Sequence, residues 1–288
     1  MKFKLVLSSV SVLGLLTTGL HAAVIYGVDD RTDIFESSDA LMKELSLSTA
    51  AMIPNDNIFY HNGLYTIKSE TLTDRGICKN ERFSNQLIAS KCSGFLVSPD
   101  TIVTAGHCIN SVEDCENVLW VFDYANITEE KSAFTFKPNQ VFHCTKLIAR
   151  KKDEKILNDY SVIKLDRAVL DRQPLKYRTS GKVSDDASIT VIGYPSGLPA
   201  KIASGAVVRN NKNPIYFVTN ADTFNLNSGS AVIDSKTGLV EGILVRGDTD
   251  YMHSIEGNSN SCLMTVHRDS TGGRGEDVTR ITNIKALK

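Results

Sequence analysis

The chain has 288 residues, 42% of them hydrophobic, and its 32 basic and 33 acidic side chains leave a formal charge of −1. So even a balance gives no field to gather a polyanion, which sets nucleic acid aside as a partner. The length suits one large all-β domain or two small ones.

Residues 1–22 read as a signal peptide: Lys2 and Lys4 form a short positive region, a mostly apolar run follows from Leu5, and Ala22 and Ala23 offer a cleavage point. No later stretch approaches the roughly 18 apolar residues needed to span a bilayer. The expected product is exported, secreted or periplasmic, with no membrane attachment after leader removal. Residues 23–75 read as an N-terminal extension, structural or a pro-segment whose presence would make the protein a zymogen. Within it DALMKELS has the length of a short helix, but the many Asp and Ser residues favour an extended segment wrapped on a core.

After Cys78 short β-prone runs take over: CSGFLVS, TIVTAG, NVLWVFDY, SAFTF, QVFHC, YSVIKL, SITVIGY, IYFVTN, SAVID and LVEGILVRG. Pro, Gly, Asn and Asp separate them at turn-like intervals, which indicates an all-β barrel or sandwich. The charged ARKKDEKILND at 149–159 reads as a solvated loop, and the final VTRITNIKAL as either a helix or a strand. All six cysteines follow the leader, and an even number in an exported chain predicts up to three disulfides. With neither Cys-x-x-Cys nor His-Glu-x-x-His present, no metal or other cofactor is expected.

Three local contexts carry chemistry. His107 follows an apolar strand and the small pair Ala105 and Gly106; an imidazole takes and returns a proton near neutral pH. Asp159 directly precedes the alternating run Tyr160 to Leu165, where a carboxylate at a strand end can fix an imidazole tautomer. Its rival Asp166 sits beside Arg167 and suits a surface ion pair. Ser228, in LNSGSAVID, is followed by Gly229, and the N–H groups of Leu226 and Ser228 are placed to face an oxyanion. A hydroxyl is a weak nucleophile until a base and an orienting group reach it. Ser230 competes, but it lies at the start of the SAVID strand.

TAGHC, DYSVIKLD and NSGSAV, in the order His, Asp, Ser, resemble the chymotrypsin-like (trypsin-like) serine peptidases, above all the bacterial secreted branch with the glutamyl endopeptidases. The resemblance runs from about Cys78 to Cys262. It implies an all-β fold of two six-stranded antiparallel β-barrels within residues 76–288, divided near 175–185, behind the N-terminal extension. It further implies an exported serine endopeptidase with His107 as general base, Asp159 as its orienter, Ser228 as nucleophile and an acyl-enzyme intermediate. Proteins or peptides are the expected partners, and a monomer the expected state. The resemblance pairs Cys92 with Cys108; the other four cysteines allow three pairings, of which Cys115 with Cys144 is chosen without a deciding argument. GYPSGLPAKIASGAVV resembles the segment entering the second barrel.

The match breaks at Leu226, where the family usually has glycine to aim an N–H into the oxyanion hole. This opens an alternative, a pseudopeptidase acting as a protein-binding module. Asn227 replaces the aspartate that binds a new amino terminus in digestive members. The resemblance places Asp222, Thr223, Leu244, Val245, Arg246 and Gly247 around the primary pocket, with cleavage after Glu and after Lys/Arg both open. Arg246 is either a cation at the pocket mouth or paired with Asp248 or Asp250. An α/β-hydrolase esterase lacks support, because that fold needs Gly-x-Ser-x-Gly and the order Ser, acid, His.

Overall fold

The computed structural model describes residues 24–68, 70–254 and 261–288; the leader reading of residues 1–22 lies outside them. In chain order come β1 (Ile25–Tyr26), β2 (Arg31–Asp33), α1 (Ala40–Ser46), β3 (Thr49–Pro54), β4 (Ile58–His61) and β5 (Leu64–Ile67). Next are β6 (Cys92–Ser98), β7 (Thr101–Thr104), α2 (Val112–Glu116), β8 (Val118–Val121), β9 (Thr135–Phe136), β10 (Val141–Asp153) and β11 (Asn158–Leu165). Residues 166–187 then lead to β12 (Ser188–Gly193), β13 (Lys201–Asn210), β14 (Tyr216–Thr219), β15 (Ala231–Asp234) and β16 (Val240–Arg246). The last elements are β17 (Tyr251–His253), β18 (Leu263–Thr265), β19 (His267–Arg268) and β20 (Glu276–Arg280).

Strands β10, β11, β7, β6, β3 and β8 close the first barrel, entirely by antiparallel pairs. Strands β12, β15, β16, β20, β14 and β13 form the second, which the β12–β13 pairing closes. Closure removes the exposed edges that an open sheet would leave. Alternation does the packing: along β11, Val162 joins one buried cluster while Ile163 and Leu165 join another around Trp120 and Phe142. The larger cluster runs on through Ile192, Ile202, Ile233 and Ile243, so the two barrels share apolar packing where they meet.

Part of the described segment 24–75 is built into these barrels, while β4 and β5 form a separate sheet with β9. Strand β3 is one of the six in the first barrel, held between β6 and β8, and β2 pairs with β13 at the margin of the second. Thr49 to Ile53 are all buried, as are most residues of the neighbouring strands β6 and β8. DALMKELS is a helix rather than an extended segment, because the Asp39 side chain accepts a hydrogen bond from the Met42 N–H at 3.1 Å and so caps α1. The charged stretch after Ala149 is strand as far as Asp153, paired with β11, rather than a loop. The tail opens as β20 and ends in two short 3₁₀ turns.

Disulfides join Cys92 to Cys108, Cys115 to Cys144 and Cys78 to Cys262. No helix among the described residues is long and apolar enough to cross a membrane.

Candidate active site

His107 lies in the turn after β7, and Asp159 is the second residue of β11, which pairs with β7. The carboxylate binds the histidine twice. Its Oδ1 accepts from the His107 backbone N–H at 3.0 Å, and its Oδ2 accepts from the ring Nδ1 at 2.8 Å. With Nδ1 protonated for that bond, Nε2 carries the lone pair that can take a proton. Gly106 is required for this approach: a Cβ there would lie 2.2 Å from the Lys151 carbonyl oxygen and 2.9 Å from Asp159 Oδ1. Asp159 is buried, and burial alone would raise its pKa; its hydrogen bonds with His107 and the charges of His107 and Arg246 outweigh that and hold it below the usual value. Asp166 instead binds Arg167 at 2.7 Å on the surface.

Ser228 lies between β14 and β15 in a turn clamped by both barrels. Its carbonyl accepts from the Ser93 N–H at 2.7 Å, and the Gly229 N–H donates to the Leu244 carbonyl at 2.8 Å. Gly229 has φ 90°, and a Cβ there would fall 2.0 Å from the Ser93 carbonyl oxygen, so no side chain fits. Asn227 is buried with its Oδ1 2.7 Å from the Ser230 hydroxyl. That amide fills its space through neutral hydrogen bonds, where the digestive members rely on an ion pair. Ser230 thus has its hydroxyl committed inside the turn, its one proton shared between that Oδ1 and the Asn227 carbonyl oxygen at 2.5 Å.

Leu226 adopts φ 68°. This is the left-handed conformation that glycine takes freely and that costs another residue about 1–2 kcal/mol. The flanking chain holds it there: the Asn225 N–H donates to Asp250 at 2.8 Å, the Asn225 carbonyl accepts from Ser196 at 2.7 Å, and the Asn227 N–H donates to Phe224 at 3.0 Å. Among the described residues, no protein acceptor meets the N–H of Leu226 or of Ser228. Leucine therefore takes here the kind of backbone conformation for which the sequence pattern calls for glycine.

His107, Asp159 and Ser228 line one cavity of about 420 Å³ together with Asn225, Val245 and Arg246. Of the other pocket candidates, Asp222 has both oxygens occupied, accepting from the Tyr26 N–H at 2.7 Å and the Asp30 N–H at 3.0 Å. Thr223 donates to Glu276 at 2.7 Å, and a Cβ at Gly247 would lie 2.0 Å from the same carboxyl oxygen. Leu244 is buried in the second barrel. Arg246 pairs with Asp277 rather than Asp248 or Asp250, because β16 and β20 place the two residues opposite one another.

Glu276 is the residue that the sequence reading missed. It is buried against Thr223, and burial pushes its carboxyl up to about 8. An assignment of EDVTR as a strand would have placed it in a sheet, where it pairs with Thr219 of β14, but not beside Thr223. The sulfurs of Cys92 and Cys108 lie near His107, but they are bonded to each other and offer no thiolate to a metal.

Several solved structures resemble the chain. A Glu endopeptidase in complex with MPD matches at 17% identity and a TM-score of 0.48, over 90% of this chain and 94% of that one. The VesB protease of Vibrio cholerae matches at 10% identity and 0.49, over 88% and 64%. The serine endoprotease from Yersinia pestis matches at 14% and 0.45, over 77% and 60%. No curated protein matches. The model of the trypsin-like peptidase domain matches residues 92–243, more than half of the chain, from the first-barrel strand β6 into the second-barrel strand β16. With its two closed antiparallel barrels, the chain belongs to the trypsin-like peptidase domain family, a family of serine peptidases.

Proposed function

We propose that the protein is an exported serine endopeptidase in which Ser228, His107 and Asp159 form the catalytic triad. The observation that carries this reading is the double hold of Asp159 on the backbone and ring of His107, at a cavity that Ser228 also lines. In the reaction, Ser228 Oγ attacks the scissile carbonyl carbon while His107 Nε2 takes its proton. The oxyanion develops toward the N–H groups of Leu226 and Ser228. Collapse breaks the C–N bond, the amine leaves with the proton from His107, and water then hydrolyses the ester by the same route. Asp159 stays ionised throughout, in keeping with its lowered pKa.

The left-handed Leu226 supports turnover over the binding-module alternative, since the chain bears a conformational cost to keep that peptide in place. For the side chain that precedes the cut, Asp222 is tied to the N-terminal segment, whereas Glu276 puts an acid beside Thr223 and Gly247. Burial keeps that carboxyl protonated near neutral pH, so it carries no charge to select a cation, and cleavage after Glu and after Lys/Arg both go forward to the test.

The test is a diverse peptide library incubated with leader-free protein and with its Ser228→Ala variant, the cut sites read by mass spectrometry. Cuts that vanish in the variant are the expected result, and the residue before them, Glu or Lys/Arg, gives the primary preference. Cuts that persist in the variant would remove Ser228 from the chemistry.

A further inference from the structure

We infer that Arg246 is a positioning residue for the Asp159 and His107 pair, acting from the second barrel on a carboxylate of the first. This rests on the triad reading above. Arg246 ends β16, and its Nε donates to Asp277 Oδ2 at 3.1 Å, from β20 of its own barrel. Asp277 is buried and also binds Arg274 at 2.8 Å, so the anchor is itself fixed. On the far side, Nη2 donates to the Leu157 carbonyl at 3.1 Å, in the turn that leads into β11. Leu157 has φ 60°, a second non-glycine residue in the left-handed region beside this site. A planar guanidinium held at two of its nitrogens has little freedom at the third. That third nitrogen, Nη1, lies 3.9 Å from Asp159 Oδ2, the oxygen that accepts from the His107 ring.

Three consequences follow from one side chain. The backbone entering β11 is tied across the cleft, the carboxylate is kept ionised, and a positive charge stands near the imidazole. Arg246 keeps little capacity for a substrate anion, since two of its nitrogens are engaged within the protein and its side chain is only 14% exposed. The other charged groups around the pair are Lys152, which faces Asp159 across β10 and β11, Asp153 and Glu154 beyond it on the cavity wall, and Asp277 with Arg274 behind Arg246.

A nearby cation opposes protonation of an imidazole, so its removal is expected to shift the acid limb of kcat/KM to higher pH, by roughly half a unit to one unit. Loss of the tether also misplaces the base, lowering kcat about tenfold while KM stays within about twofold. The experiment compares Arg246→Met, Arg246→Lys and Asp277→Asn on the best library peptide across pH, with melting temperatures and the NMR titration of the His107 ring. Arg246→Met is expected to show both effects. Arg246→Lys restores the pH limb, because it keeps the charge, but only part of kcat, because a point charge cannot make the two-sided fork.

A raised KM with kcat and the pH limb unchanged would make Arg246 a substrate contact and overturn the inference. So would a loss of activity that follows melting temperature alone, with the His107 titration unmoved. If Arg246→Met does not fold, the Lys and Asn variants decide the same question. The ring titration needs no turnover, so it tests the inference even if Ser228→Ala shows the triad reading to be wrong.

Discussion

Replacing Leu226 with glycine separates the role of the backbone at that position from the role of the side chain. Leucine at φ 68° bears about 1–2 kcal/mol of left-handed strain. Glycine removes that strain but makes the unfolded chain looser, returning about 0.5–1 kcal/mol. The leucine side chain is half-buried, with Cδ1 near Gly197, so a small packing loss offsets the remainder. At about 2–4 °C per kcal/mol for a chain of this size, the net change is a melting temperature within about 3 °C of wild type. The Leu226 N–H stays in place, so kcat/KM on the best library peptide holds within about threefold. Leu226→Ile is the contrasting variant. A β-branched side chain is poorly tolerated in the left-handed region, so the peptide relaxes away and activity falls by about two to three orders of magnitude, the cost of one oxyanion donor. Thermal melts and steady-state kinetics on the three proteins suffice. A tenfold loss in the glycine variant, or an isoleucine variant as active as wild type, would refute the claim that this position works through its backbone conformation.

Further expectations follow from neighbouring contacts. Ser230→Ala removes a hydroxyl bonded to the Asn227 carbonyl and side chain, so it should destabilise the fold by about 1–2 kcal/mol while sparing catalysis; Ser228→Ala should do the reverse in paired melts and assays. Breaking the Cys92–Cys108 bridge by a double alanine substitution releases a loop with a sequence separation of 16, and denaturant titration should show a loss of about 3 kcal/mol. Burial raises the carboxyl of Glu276 from 4.5 to about 8, so the folded protein keeps a proton that the unfolded chain gives up. Its stabilising contribution is full below the unfolded value and is lost as pH rises toward the folded one, so Glu276→Gln should flatten the decline in melting temperature between about pH 5 and pH 8. A steeper decline in that variant would contradict the assignment. Asp30 and Asp222 are raised by burial as well and shape the same slope.

What the sequence determined by itself is local. Runs such as CSGFLVS and YSVIKL matched β6 and β11 because short apolar runs bounded by turn residues are signals that act over a few positions. His107, Asp159 and Ser228 were legible as candidates because each sits in a short context with its own turn or strand signal. The Cys92–Cys108 bridge came with the family resemblance, and the structure forms it.

Tertiary structure decided whatever depends on partners distant in the chain. Strand β3 completes the first barrel from a segment that reads as an extension in the sequence, since its partners β6 and β8 lie far along the chain. Leu226 occupies a glycine conformation because Asp250 and Ser196 hold the chain on its N-terminal side, a constraint that no propensity encodes. Arg246 found Asp277 rather than its sequence neighbours Asp248 and Asp250, because strand register and not proximity along the chain sets which charges face one another. Asp222 bonds to the N–H groups of Tyr26 and Asp30, nearly two hundred residues away, by the same principle, since the energy of an ion pair or hydrogen bond depends on distance in space and not on separation in sequence.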